Sequence, residues 1–210
     1  PPMERSALSR DGHYLALTAP GGFVSIRDTR NGRLSREFQV PVYISNLEFS
    51  PDGRQMAVCD TDGTVTMWDI NGGKRIRTLT GHKATVSSAR FSPDGRMMAT
   101  SSWNGTARLW VAADGRELTV LTGHKAGLLA CLFSPDGRTL VTSSDDRTIR
   151  FWNIATFREI ASIPSKGPAY FLAFSPDGRI LISNEVDHDL RSWRAPSLAE
   201  IDAAEANAGR

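Results

Sequence analysis

The chain has 210 residues, of which 40% are hydrophobic and 23% are charged, and its formal net charge at pH 7 is +2. This composition is typical of a globular domain, and so small a net charge does not indicate a nucleic-acid or membrane surface. No apolar run approaches the roughly 20 residues of a membrane span, and no signal peptide is visible. Because the chain lacks an initiator Met and begins almost directly inside a repeat, the compartment stays open, and a cytoplasmic protein is our expectation.

A hexapeptide, FSPDGR, recurs along the chain with a nearly constant spacing. Its four copies occupy residues 49–54, 91–96, 133–138 and 174–179. A weaker copy, LSRDGH, begins at Leu8. Tryptophan follows the same period, at Trp68, Trp110, Trp152 and Trp193. A fixed period of about 42 residues is typical of repeat architectures. It predicts five units, at about 1–43, 44–85, 86–127, 128–168 and 169–196.

One period, residues 81–122, predicts four strands in chain order. An alternating stretch that ends at Phe91 indicates the first strand, and SPDG then supplies a turn with glycine at its positive-φ position. RMMATSS returns as a second strand, and Asn104-Gly105 is the dipeptide that tight hairpins prefer. TARLWV, a further turn and ELTVLT complete an antiparallel meander. The two cysteines, Cys59 and Cys131, fall within predicted strands, which indicates free buried thiols.

A sheet of four short strands is too small to cover its own apolar faces. Copies stacked around an axis cover one another, so the sequence predicts an all-β fold, a β-propeller of four-stranded antiparallel blades. A sandwich or an open solenoid of the same units is the alternative. The last unit lacks a fourth predicted strand and runs into residues 197–210, an Ala- and Glu-rich tail with a helix-capping pattern at Ser197 and Glu200.

Three recurring signals carry a resemblance to a known family: Gly-His before the first strand, FSPDGR, and the third-strand stretches MWDI, RLWV and RFWN. Together they resemble the WD-repeat propeller family. The resemblance implies six to eight blades in a complete ring, so we expect these five units to be part of a larger ring. The chain begins without Met, and its ending resembles the C-terminal blades of larger bacterial WD-repeat proteins, some of which carry an upstream protein kinase domain.

The resemblance also implies a hydrogen-bonded network within each blade, formed by a His, a hydroxyl, an Asp and the Trp. The fullest match consists of His124, Asp146 and Trp152, with Thr142 or Ser144 as the hydroxyl. The preceding unit offers His82, Asn104 and Trp110. Asp62 with Trp68, and Asp187 with Trp193, lack a matching His. The first unit has Gly21 and Arg27 at these positions and keeps neither side chain.

We predict no catalytic residue, no metal site and no cofactor. His124 and Asp146 are better explained as satisfied buried polar groups than as a catalytic pair. The acidic residues of the SPDG copies are explained by their turns, and in Asp187-His188-Asp189 neighbouring side chains alternate between the two sides of a strand. The sequence also lacks a nucleophile elbow, a phosphate-binding glycine loop and paired-cysteine zinc spacing.

The surface remains as the functional candidate, because rigid scaffolds hold binding residues on loops. The turns between second and third strands carry Thr61, Trp103, Asp145 and Val186. Trp103 is either an interface anchor or a residue that packs over the adjacent blade. Basic residues recur nearby, and they form either a rim for an acidic partner or a solvated surface. They are Lys83, Lys125, Lys166 and Arg147.

These observations predict a non-catalytic scaffold that binds protein or peptide partners on a propeller face, without a nucleic-acid or membrane partner. Two alternatives stay open. One is a regulatory module that docks on an upstream catalytic domain of the same chain. The other is a propeller hydrolase, which requires carboxylates clustered around the central channel.

Overall fold

The computed structural model describes residues 5–19, 21–40, 43–184 and 190–194, which form 19 strands in five sheets. The first sheet contains β1 (Ser6–Leu8), β2 (Tyr14–Ala19), β3 (Phe23–Asp28) and β4 (Leu34–Gln39). The second contains β5 (Ile44–Phe49), β6 (Gln55–Asp60), β7 (Val65–Asp69) and β8 (Lys74–Leu79). The third contains β9 (Val86–Phe91), β10 (Met97–Ser102), β11 (Ala107–Val111) and β12 (Glu117–Leu121). The fourth contains β13 (Leu128–Phe133), β14 (Thr139–Ser144), β15 (Thr148–Asn153) and β16 (Glu159–Pro164). The fifth contains β17 (Phe171–Phe174), β18 (Ile180–Asn184) and β19 (Leu190–Arg194).

Every sheet is an antiparallel meander whose strands lie side by side in chain order. The first strands of neighbouring sheets pack against one another in the order β1, β5, β9, β13 and β17. The described residues contain no helix, and therefore none that could span a membrane. The prediction of an all-β, propeller-type fold is confirmed. The predicted tail, residues 197–210, lies outside the described residues.

The hydrophobic core lies between the sheets. Between the first and second sheets, Val24 and Ile26 pack with Met56 and Trp68. Equivalent clusters separate the second from the third sheet, the third from the fourth and the fourth from the fifth. Each central sheet therefore contributes side chains to two clusters, and the outermost strands of the sheets carry the most exposed residues.

Polar contacts also join the first strands of adjacent sheets. The Ser45 hydroxyl on β5 donates to the Val86 carbonyl oxygen at 2.6 Å. The Arg90 guanidinium on β9 donates to the Glu48 carboxylate on β5 at 3.1 Å. Burial raises the pKa of Glu48, and the nearby Arg90 charge acts in the opposite direction. The inner strands are thus held by backbone acceptors and a half-buried ion pair in addition to apolar packing.

Each FSPDGR copy folds into the same turn at the junction of first and second strands. In the fourth sheet the Ser134 hydroxyl donates to the Asp136 carboxylate at 2.5 Å and accepts the Thr139 backbone N–H at 3.0 Å. The same carboxylate accepts the Arg138 backbone N–H. The Ser134 hydrogen bond, followed by that of Arg138, lowers the pKa of Asp136. The described SRDG copy at Ser9 and Asp11 repeats the serine and aspartate contacts.

These turns lie in a row, because the glycine of one turn packs on the proline of the turn before it. A Cβ at Gly137 would lie 3.6 Å from Pro93, and one at Gly178 would lie 3.5 Å from Pro135. Arg10 replaces proline in the first turn, and its guanidinium donates to the Pro93 carbonyl oxygen at 3.0 Å. The repeated hexapeptide therefore serves both the hairpin of its own sheet and the contact with the next one.

The two cysteines are free thiols in the first two strands of their sheets. Cys59 lies on β6 and Cys131 on β13, and both are buried. Burial raises the pKa of each thiol, so both remain protonated near neutral pH.

We expect Ser134→Ala to lower the free energy of unfolding by about 1–2 kcal/mol, because it leaves the Thr139 backbone N–H without its acceptor and removes one of the two donors to Asp136. Urea denaturation followed by tryptophan fluorescence measures the change. Ser175→Ala is the matched control, since Ser175 makes the same contacts in the more exposed turn of the fifth sheet and its loss should cost less. Equal costs would contradict the role of burial in this turn.

Candidate functional site

The fourth sheet contains a continuous hydrogen-bonded network of four side chains. The Trp152 indole N–H donates to the Thr142 Oγ1 at 2.9 Å, and Thr142 Oγ1 lies 2.8 Å from His124 Nε2. His124 Nδ1 lies 2.9 Å from Asp146 Oδ2. Of the two hydroxyls considered from the sequence, Thr142 joins the network. Ser144 instead donates to the Ala126 carbonyl oxygen.

The geometry assigns the protons of this network. A neutral His124 donates its Nδ1–H to the Asp146 carboxylate, so its Nε2 accepts the Thr142 hydroxyl proton, and Thr142 is free to accept from Trp152. Burial lowers the pKa of His124 and outweighs the opposing effect of the Asp146 charge. Burial acts to raise the pKa of Asp146, but hydrogen bonds from Thr148, the Lys125 backbone and His124 lower it to about 2.

Gly123, which precedes His124, occupies a position where a side chain would strain the backbone and displace Arg150. A Cβ at Gly123 would lie 2.9 Å from the Arg150 guanidinium, and its φ of 151° is one that other residues rarely adopt. Arg150 in turn donates to the Glu159 carboxylate at 2.6 Å. In the Gly-His pair, the glycine thus packs against Arg150, and the histidine side chain joins the hydrogen-bonded network of the sheet.

The third sheet repeats the network with one change. Trp110 donates to Thr100 Oγ1 at 2.9 Å, and Thr100 Oγ1 lies 2.8 Å from His82 Nε2. Asn104 occupies the position of Asp146 and accepts the Thr106 hydroxyl and backbone N–H. Burial, followed by the nearby Arg108 charge, lowers the pKa of His82 to about 4.

The second sheet has no such network. Val40 and Val58 occupy the positions of the histidine and the threonine, and both are buried. Trp68 donates instead to Thr66 Oγ1 at 2.9 Å and stacks on Phe38 with ring centroids 4.5 Å apart. The sequence pointed to Asp62, but the buried carboxylate here belongs to Asp60, which accepts the backbone N–H groups of residues 62 and 64.

The outer units have fewer of these side chains. In the fifth sheet the Trp193 indole N–H reaches the Ser183 hydroxyl at 3.5 Å, while Asp187 and Val186 lie outside the described residues. In the first sheet, Arg27 occupies the tryptophan position and donates to the Gly32 carbonyl oxygen, and Gly21 occupies the aspartate position.

The network has the geometry of a structural element. His124 and Asp146 are nearly fully buried, and their donors and acceptors are used within the sheet. Among the described residues, no group of three or more His, Cys, Asp and Glu side chains is arranged to hold a metal ion. The network therefore fixes the turn between the second and third strands of its sheet.

The turns between the second and third strands of neighbouring sheets form a row across one face of the sheets. The backbone N–H groups of Thr61, Trp103 and Asp145 each donate to the residue that enters the first strand of the same sheet. Their acceptors are the carbonyl oxygens of Tyr43, Thr85 and Gly127. The Thr85 hydroxyl reaches the Thr61 carbonyl oxygen of the preceding sheet at 3.3 Å, and a Cβ at Gly127 would lie 3.1 Å from Trp103 Cα. We call residues 43, 61, 85, 103, 127 and 145 the turn face.

Two aromatic side chains on the turn face are exposed. The Trp103 backbone packs against Gly127, but 61% of the residue is exposed, and Tyr43 is 78% exposed. Sequence reasoning missed Tyr43. The available signal was its position, six residues before Phe49, which matches Thr85 before Phe91 and Gly127 before Phe133.

Basic residues flank this face. Lys83 and Lys125 are exposed in the loops that enter the third and fourth sheets, and Lys166 is exposed in the loop before the fifth. Arg147 occupies the turn position held by Gly63 and Gly105, with a φ of 62°. A left-handed conformation costs a residue with a side chain about 1–2 kcal/mol, so an arginine here is strained.

Comparison with known proteins gives one family. The model of the family "WD domain, G-beta repeat" matches residues 32–69, 73–111 and 115–153. Telomerase protein component 1 of Rattus norvegicus is 32% identical over 74 residues, which are 35% of this chain and 3% of the relative. Periodic tryptophan protein 2 homolog of Schizosaccharomyces pombe is 29% identical over 84 residues, 39% of this chain and 10% of the relative. The chain thus matches a small part of each of these relatives.

We expect Thr142→Val to lower the free energy of unfolding by about 2–4 kcal/mol, because it leaves both the Trp152 indole N–H and His124 Nε2 buried without a partner. Chemical denaturation measures the change. His124→Val/Thr142→Val/Arg150→Thr copies Val40, Val58 and Thr66 of the second sheet, which gives the Trp152 indole N–H an acceptor again, and should recover part of the loss. A single variant as stable as the wild type would contradict the network.

Acid should destabilise the fold through the buried histidines. The unfolded state binds a proton at His82 near pH 6.5, whereas the folded state does so near pH 4. Stability therefore falls as the pH is lowered between these values, by up to about 3 kcal/mol for His82. Urea titrations across this range measure the slope, which should be shallower in His82→Gln. An unchanged slope would contradict the lowered pKa.

Proposed function

We propose that this chain, which belongs to the WD domain, G-beta repeat family, is a non-catalytic scaffold that binds a protein or peptide partner on its turn face. The family match supports an interaction role. The observation that carries the proposal is the pair of exposed aromatic residues, Trp103 and Tyr43, on one rigid face.

The backbone of the turn face supports such a use. Each turn is tied by a backbone hydrogen bond to the start of the first strand of its own sheet, and the Thr61 and Trp103 turns also contact the following sheet. A tryptophan on a preordered backbone loses little conformational freedom on binding, which makes it an effective interface anchor.

The charges around the turn face favour a partner with acidic groups. Lys83, Lys125 and Arg147 are exposed there, against the exposed acids Asp62 and Asp145. The strained conformation of Arg147 adds support, since neighbouring repeats use glycine at this position and strain is often retained at functional sites. The rat relative is named as a protein component of telomerase, which fits an assembly role.

The test compares partners of the wild type with those of Trp103→Ala. Proteins captured from a lysate of the source organism are identified first, and each candidate is then purified and measured by calorimetry. We expect Trp103→Ala to weaken binding of the true partner by about 2 kcal/mol, roughly 30-fold, because interface tryptophans often carry such energies.

Ile160→Ala is the matched control, because Ile160 is an exposed apolar residue of similar exposure on the outermost strand of the fourth sheet. It should leave affinity unchanged. Thermal unfolding of each variant confirms that the fold is retained. Partners that bind Trp103→Ala and Tyr43→Ala as tightly as the wild type would refute the turn face as the binding site.

A further inference from the structure

Two of the sheets carry an ion pair between the third and fourth strands at equivalent positions. In the third sheet Arg108 pairs with Glu117, and in the fourth sheet Arg150 pairs with Glu159. Each glutamate lies opposite the tryptophan of its sheet. In these two sheets the arginine charge on the third strand is compensated by the glutamate on the outermost strand.

The second sheet departs from this pattern in both members of the pair. Thr66 replaces the arginine, and its hydroxyl accepts the Trp68 indole N–H. Arg75 replaces the glutamate, because it is the residue opposite Trp68 on β8. Arg75 is exposed and makes no ion pair within the described part of the chain. Where the third and fourth sheets have an ion pair, the second sheet therefore has the exposed positive charge of Arg75.

Further cations surround Arg75. Lys74 precedes it on β8 and is exposed, and Arg36 on β4 of the first sheet donates to the Asn71 carbonyl oxygen at 3.1 Å, which joins β4 to the turn before β8. Arg33 is exposed just before β4. We call Arg33, Arg36, Lys74 and Arg75 the basic outer edge.

The acidic residues of this region offset the basic outer edge only in part. Asp28 is paired with Arg30, while Asp69, opposite Lys74 on the neighbouring strand, and Glu37, next to Arg36, make no ion pair within the described residues. Residues 27–37 and 69–77 together contain seven Arg and Lys against three Asp and Glu. This surplus of four positive charges exceeds the net charge of +2 of the whole chain, so it is a local feature.

The backbone along this edge is also available. β8 is the last strand of its sheet, and its residues 74–76 are exposed, with a bulge that leaves Ile76 without an opposite residue on β7. An extended peptide that adds to an edge strand pairs with its backbone and places alternate side chains on the two faces. We propose that the basic outer edge binds an extended, acidic segment of a protein partner, added alongside β8.

A protein segment fits better than a nucleic acid, because only a peptide backbone can continue the hydrogen-bond ladder of β8. The exposed Ile76 beside Arg75 fits an apolar side chain next to an acidic one. This site is separate from the turn face, so Trp103→Ala should leave it unchanged.

The test uses a fluorescently labelled peptide of about eight residues in which Glu alternates with Val, the length of one long strand, and measures anisotropy with the full chain. We expect saturable binding that weakens with added salt, and an affinity at least about tenfold lower in Lys74→Glu/Arg75→Glu. Arg54→Glu/Arg138→Glu is the matched control, because it makes the same charge change at exposed arginines of the SPDG turns.

Two further probes make the outcome decisive. The same peptide with N-methylated backbone amides should lose binding, since it cannot pair with β8, and a Gln-for-Glu peptide should bind at least about tenfold more weakly. Equal affinity for the methylated peptide, stronger binding of a single-stranded DNA, or unchanged binding by the double variant would overturn the proposal. If thermal unfolding shows that Lys74→Glu/Arg75→Glu is not folded, Lys74→Gln/Arg75→Gln replaces it with the same criteria.

Discussion

The fold depends on the fact that a four-stranded sheet of short strands has two apolar faces and cannot cover either by itself. Burial of apolar surface contributes about 25 cal/mol per Å², so an uncovered face is costly. The structure meets this constraint by placing a hydrophobic cluster between each pair of neighbouring sheets. The stability of one repeat is therefore largely a property of its contacts with the next one.

Polar groups inside these sheets obey a second constraint, which the repeats satisfy in two ways. In the third and fourth sheets a threonine hydroxyl accepts from the tryptophan and is shared with a buried histidine. In the second sheet valines replace histidine and threonine, and a different threonine accepts from the tryptophan. Replacement of both partners together is tolerated because no donor or acceptor is left buried alone.

Differences between repeats identify residues that the fold itself does not require. The repeated turns, tryptophans and glycines are accounted for by packing and hydrogen bonding. Trp103, Arg147 and Arg75 are not, because neighbouring repeats have other residues at these positions with the same strand pairing. These departures lie on two separate surfaces, the turn face and the basic outer edge, which suits a scaffold that contacts more than one segment.

Much of this architecture was predictable from the sequence, because turn chemistry and strand alternation are local and were repeated in register. The period of FSPDGR predicted the meanders, and the resemblance to the family indicated the residues of the network around His124. The sequence left the choice between Thr142 and Ser144 open, pointed to Asp62 where Asp60 is the buried acid, and missed Tyr43. These points depend on distances between strands and between sheets. Which hydroxyl reaches a histidine, and which exposed side chains share a face, is decided by tertiary packing because the residues involved are far apart in the chain.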